Sequence, residues 1–95
     1  MNKRSYKNRD LLLRIIRRNE VLHTLSISRS TLFNRIDAGL IPPSIPLGGR
    51  AVGWLESEIQ AILIAFVGGK EPDDIKELVN DLISARKVRG GMINE

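Results

Sequence analysis

Three prolines within five residues, Pro42, Pro43 and Pro46, cut this 95-residue chain into two parts. A proline has no backbone N–H and its ring clashes with the preceding helical turn, so no helix crosses residues 40–54. Gly48-Gly49 follows at once and predicts a turn between two short extended pieces, 44–47 and 50–54. Val52 and Trp54 alternate in the second piece, which predicts that one face of the hairpin lies against a neighbour. A lone tryptophan beside such alternation reads as core rather than as a stacking platform.

Upstream of the break, residues 18–25 read as a short helix with Val21, Leu22 and Leu25 on one face. Ser26-Ile27-Ser28 interrupts it, and the Ser28 hydroxyl can accept a backbone N–H from the next turn as an N-cap. A second helix over 29–38 buries Leu32 and Ile36 and stops at Gly39, which suits a left-handed position. Ile27 inside the turn is the apolar pin between the two. Two short helices joined by three residues form a helix-turn-helix signature, and a hairpin directly after them is a wing. Ahead of them, the apolar run 11–16, interrupted by Arg14, reads either as a brief strand or as a lead-in to the first helix.

Downstream, residues 55–66 predict a third helix burying Ile59, Ile62, Leu63 and Phe66, ended by Gly68-Gly69. A final helix over 70–89 has Pro72 in its first turn and Asp73 and Asp74 favouring its N-terminal dipole. Ile75, Leu78, Val79, Leu82 and Ile83 give it a continuous apolar stripe that something must cover. Arg86, Lys87 and Arg89 sit suitably for its C-terminal end. The expected fold is mainly α: a winged helix-turn-helix over 11–67 with a two-stranded wing, and an additional C-terminal amphipathic helix. Residues 1–10 read as a flexible basic tail and 90–95 as a short tail.

The net charge of +4 is unevenly spread. Residues 1–35 hold nine Lys or Arg against Asp10 and Glu20, a balance of +7, so the remainder carries −3. Seven acids fall between Glu56 and Asp81, against Lys70 and Lys76 alone. A basic half backed by an acidic half fits a phosphate-facing surface, although basic termini also serve only to solubilise. The chain has no cysteine, which excludes disulfides and thiolate chemistry. His23 has no partner at metal spacing and reads as a helix-surface residue; no cofactor or metal is expected. Gly48-Gly49 lacks the lysine-serine tail of a phosphate loop, and the acids lack a paired basic or nucleophilic partner, so no enzyme is expected. The basic start has no apolar signal core and the run 59–67 is too short to span a bilayer, which points to the cytoplasm and away from a membrane partner.

Four pieces of the chain resemble one family. They are Glu20-Val21-Leu22; Ile27-Ser28-Arg29-Ser30-Thr31-Leu32; Gly39 with Pro42; and Leu47-Gly48-Gly49-Arg50-Ala51-Val52-Gly53-Trp54 followed by Glu56-Ser57-Glu58-Ile59. In that order, over residues 14 to about 65, they resemble the AlpA family of phage and prophage transcriptional regulators, related to excisionases and to MerR-type DNA-binding domains. Relative to the family pattern, Ser26 stands where glycine is usual and Phe33 where an aromatic hydroxyl is usual. Asn34 stands near a usual basic position, and Pro46 where the wing commonly has lysine.

The resemblance implies a sequence-specific regulator of double-stranded DNA that activates integrase or excision genes, with integrase or RNA polymerase as partners. In that reading Ser28, Arg29, Ser30 and Thr31, with Asn34 and Arg35 one turn on, reach bases or phosphates in the major groove. Arg50 on the wing meets a phosphate or the minor groove, and Arg17 and Arg18 attract phosphates. Against this, Arg29 and Arg35 can be solvated helix charges, Arg50 can simply hold the hairpin, and the Ser28 hydroxyl is already occupied as a cap. Phe33 reads as core edge or as groove wall. Two other roles fit the same residues: an excisionase-like architectural factor, or a protein–protein adaptor whose basic face meets an acidic partner. The final helix packs within the domain, makes a homodimer, or awaits another protein.

Overall fold

A computed structural model describes residues 13–94, with side chains through residue 90. The basic stretch 1–10 lies outside the described residues. Seven elements follow in order: β1 (Ile15–Ile16), α1 (Arg18–Leu25), α2 (Arg29–Asp37), β2 (Ile45–Gly48), β3 (Ala51–Leu55), α3 (Glu56–Val67) and α4 (Pro72–Asn94). The four helices lie where the apolar periodicity put them. The last continues past Arg89 to Asn94, into the expected tail.

The sheet differs from the expected pair of strands. It has three antiparallel strands in the order β1-β3-β2, with β3 in the middle. Ile15 pairs with Leu55 and Ile16 with Trp54, so the end of the apolar run before α1 is a strand rather than a lead-in. The Glu56 N–H extends this edge by donating to the Arg14 carbonyl at 2.8 Å. Two residues of strand were too few to show as alternation. What makes them a strand is the open edge of β3, which lies 38 residues away in sequence.

Gly53 sits at the centre of β3, paired with Ile45 of β2 and next to Trp54, the partner of Ile16 on β1. A Cβ there would lie 2.6 Å from Ile15 Cγ2, 3.0 Å from the Ile16 carbonyl oxygen and 3.1 Å from Leu47 Cδ1. Two aliphatic side chains therefore close over a position that only glycine fills. The turn between β2 and β3 also shifts by one residue. Gly48 pairs with Ala51 beside a register irregularity, and Gly49-Arg50 makes the turn. Arg50 thus occupies the tip of the hairpin and not its second strand.

Three helices end the same way. Leu40 N–H donates to Arg35 and Gly39 N–H to Ile36; Lys70 donates to Ala65 and Gly69 to Phe66; Ile27 donates to Leu22 and Ser26 to His23. Each pair satisfies carbonyls left over at a helix end and requires a left-handed residue. Gly39 (φ 79°) and Gly69 (φ 73°) take that conformation freely, while Ser26 (φ 56°) takes it against its own Cβ.

The core joins every layer. Ile16, Val21, Leu32, Ile41, Trp54, Ile59, Ile62 and Ala65 meet Ile75 and Val79 of α4 in one cluster. Leu78, Leu82 and Ile83 pack against its edge, so the stripe of α4 is covered within the chain. Arg86 is not an end-of-helix cation. Its guanidinium binds Glu58 of α3 through Nε (3.1 and 3.0 Å) and Nη2 (2.7 Å), and donates to the Pro43 carbonyl at 2.9 Å. The two side chains are 18% and 3% exposed. Trp54 Nε1 donates to the neighbouring Pro42 carbonyl at 3.0 Å.

Two stability predictions follow from these contacts. Arg86→Met strands a buried carboxylate and lowers unfolding stability by about 3 kcal/mol or more. Adding Glu58→Leu recovers most of that loss, as a urea-denaturation cycle of the two single variants and the double variant will show. Ser26→Gly removes the left-handed penalty and raises stability by about 0.5–1 kcal/mol, read from the thermal midpoint.

Candidate nucleic-acid interface

The first turn of α2 is built from hydroxyls. Ser28 sits in extended conformation (φ −81°, ψ 165°), and its Oγ accepts the Thr31 N–H at 3.2 Å. The same Oγ donates to Thr31 Oγ1 at 2.9 Å and lies 3.3 Å from Ser30 Oγ. Ser28 has one proton, given to Thr31, so Ser30 is the donor in the second contact. No acid stands in this turn, which leaves the positive end of the helix dipole without an acidic neighbour there.

Successive side chains rotate by about 100° around a helix. With Leu32 buried and Ile36 packed on the core, Ser30, Asn34 and Asp37 take the opposite, outward side, and all three are exposed. Arg29 and Phe33 share the next flank one turn apart. The Arg29 guanidinium carbon lies 5.8 Å from the Phe33 ring centroid, and Phe33 is 43% exposed. Phe33 is therefore surface rather than core edge. Its spacing from Arg29 and its offset from Leu32 and Ile36 carry that signal in the sequence.

Arg35 goes elsewhere. Its guanidinium carbon lies 5.1 Å from the Phe66 ring centroid, so it ties α2 to α3 and is half-buried. The structure thus brings Ser28, Ser30 and Thr31 together, sets Arg29 beside Phe33, and separates Arg35 from them.

The remaining cations divide into engaged and free. Arg14 bridges Glu20 at 3.1 Å and Glu56 at 2.7 Å. Its pKa is raised above the ordinary arginine value by the hydrogen bond and charge of Glu20 and then by Glu56. With Arg86 on Glu58, three acids do have basic partners, contrary to the sequence expectation. Arg17 at the start of α1, Arg18 beside it, Arg29, and Arg50 at the hairpin tip form no ion pair with any described residue. Arg17, Arg29 and Arg50 are exposed and Arg18 half-buried. The opposite charge gathers on α4, where Asp73, Asp74, Glu77 and Asp81 are exposed. Among the described residues no group of three His, Cys, Asp or Glu could hold a metal ion. No helix of the described residues is long and apolar enough to cross a membrane.

Residues 14–62 match the family described as prophage CP4-57 regulatory protein (AlpA), which takes in 49 of the 95 residues. The chain belongs to the AlpA family of phage regulatory proteins. An uncharacterised protein of Enterobacteria phage P4, ORF88, is 40% identical over 58 residues. That similarity covers 61% of this chain and 66% of the phage protein, just short of two thirds. No solved structure matches the chain. The AlpA span starts at Arg14 and holds β1, both short helices, the hairpin and α3 as far as Ile62. Arg17, Arg29 and Arg50 lie inside it, and α4 lies outside it.

Ser28 is both cap and hub of the hydroxyl cluster, which gives a direct check. Ser28→Ala lowers thermal stability by about 1 kcal/mol, and Ser28→Asp, which keeps an acceptor for the Thr31 N–H, restores it.

Proposed function

We propose that this AlpA-family chain is a non-enzymatic, sequence-specific DNA-binding regulator of transcription. In this reading α1 and α2 are a helix-turn-helix of MerR/excisionase type, and the β2–β3 hairpin is its wing. The observation that carries it is the start of α2: an exposed, acid-free first turn, beside which Arg29 forms no ion pair with any described residue. Such a turn directs backbone N–H groups and hydroxyls at an anion, while its neighbours face the base edges of a major groove.

In this reading Arg29 makes the forked contact to guanine and Asn34, on the outward face, suits adenine. Ser30 and Thr31 approach bases or phosphates, with Ser28 holding their geometry. Arg50 at the wing tip enters the adjacent minor groove or meets a phosphate, and Arg17 and Arg18 attract phosphates from the start of α1. Arg35, held by Phe66, contributes from the flank. Residues 11–67 form the DNA-binding unit, with α4 as a brace behind it. The protein works in the cytoplasm and activates integrase or excision genes, with RNA polymerase or integrase as protein partners.

Selection of bound sequences from a random duplex pool at physiological salt tests this. The wild type recovers a motif, and Arg29→Ala loses about 1–3 kcal/mol of discrimination at one position of it. Arg50→Ala instead weakens binding evenly across sequences and lowers the salt slope by about 1. A salt-sensitive background without a motif would favour an architectural role in recombination. No binding to duplex DNA at any salt would reject the regulator and promote an adaptor.

A further inference from the structure

The largest apolar exposure on the described surface is on α3. Ile64 and Val67 are 68% and 80% exposed, more than any other large hydrophobic among the described residues, with Val88 near the far end of α4 next at 64%. They lie one turn apart on the side opposite Ile59 and Ile62, with Gln60 exposed one turn before them and Leu63 half-buried beside them. From Ile59 to Gly69 the sequence IQAILIAFVGG holds no charged residue at all. A solvated helix face ordinarily carries charges, and an apolar stripe left bare marks a contact.

The occupant follows from the charges of the other faces. A twofold interface sets each patch against its own copy, so a charged patch meets like charge. The α2 and hairpin side presents Arg17, Arg29 and Arg50, and the first half of α4 presents Asp73, Asp74, Glu77 and Asp81 against Lys70 and Lys76; each surface has an excess of one sign and repels its own copy. The apolar stripe of α4, the other candidate for pairing, is already covered within the chain. From Gln60 to Val67 the outer face of α3 is uncharged, and Glu56 one turn before it is neutralised by Arg14, so this face can meet itself without that cost. We propose that Gln60, Ile64 and Val67 of α3, flanked by Leu63, form a twofold contact between two copies of this chain. The contact is one helix wide, below the roughly 1,200 Å² of stable complexes, so the dimer is weak and reversible.

The chain has no cysteine, so one introduced thiol reports on one place. Under mild oxidation the full chain carrying Ile64→Cys forms a disulfide-linked dimer at least about ten times faster than Asp73→Cys, because only thiols near the axis come within the roughly 7 Å Cα separation a disulfide allows. Sedimentation equilibrium of the unmodified chain shows a reversible monomer–dimer equilibrium. Ile64→Glu stays monomeric with the thermal midpoint of the wild type, which separates lost pairing from lost folding. Equal crosslinking rates for the two thiols, a wild type that stays monomeric as concentration rises, or a dimer that survives Ile64→Glu would each overturn the proposal. None of these readouts contains DNA, so they stand or fall separately from the proposed regulatory function.

Discussion

Glu58 keeps an acidic side chain with only 3% of its surface exposed, and the packing around it depends on that group finding a partner. Removing a carboxylate from water is costly unless a counter-charge and good hydrogen bonds replace the solvent. Arg86 supplies both, and its remaining reach goes to the Pro43 carbonyl. The adjacent carbonyl, Pro42, takes the indole N–H of Trp54. Two consecutive prolines cannot donate into a ladder, and these two carbonyls are instead satisfied by side chains from β3 and α4. The loop between α2 and the hairpin is therefore fixed from two sides. That is how the proline-rich break, which interrupts helix formation, becomes the junction of α3, α4 and the sheet.

A fixed junction matters because the proposed interface has two separate parts. α2 comes before the junction and the hairpin after it, and a duplex must meet both at once in the proposed reading. A loop free to hinge would lose that geometry, since ordering it on binding has an entropic cost. The left-handed ends of α1 and α2 at Ser26 and Gly39 act in the same direction by fixing where each short helix stops. Arg35 on Phe66 does so from the side. These contacts lie behind α2, while Arg29 and Arg50 at the hairpin tip form no ion pair with any described residue.

Local signals were sufficient for the helices and failed where pairing is non-local. The periodicity of Val21, Leu22 and Leu25, the Ser28 cap and the Gly39 stop located α1 and α2 because those forces act within a turn or two. β1 was left open because two isoleucines are too short to alternate, and the edge that recruits them belongs to a strand far along the chain. Arg86 was misplaced for a similar reason: helix-end electrostatics is a local rule, and Glu58 is 28 residues away. The hairpin turn slipped by one residue because Gly48-Gly49 offers two positions for the same bend, and pairing of Gly48 with Ala51 decides between them. Of the candidate site, composition gave the residue types. It could not separate Arg35, held by an aromatic ring on α3, from Arg29 on the free flank.

The AlpA match ends at Ile62, yet the core does not. Ile59 and Ile62 are fully buried in a cluster that includes Ile75 and Val79, so α4 covers part of the matched span's apolar surface. Glu58 lies inside the match and its partner Arg86 outside it. In this chain the matched segment is thus not closed by itself: without α4 it would expose isoleucines and leave the Pro43 carbonyl without its Arg86 donor. The acids of α4 face outward, away from the apolar stripe that seats it. Their placement lets one helix close the core on one side while keeping its acids in solvent on the other. A phosphate-bearing ligand approaching this molecule would be attracted at Arg29 and Arg50 and repelled at the acids in the first half of α4.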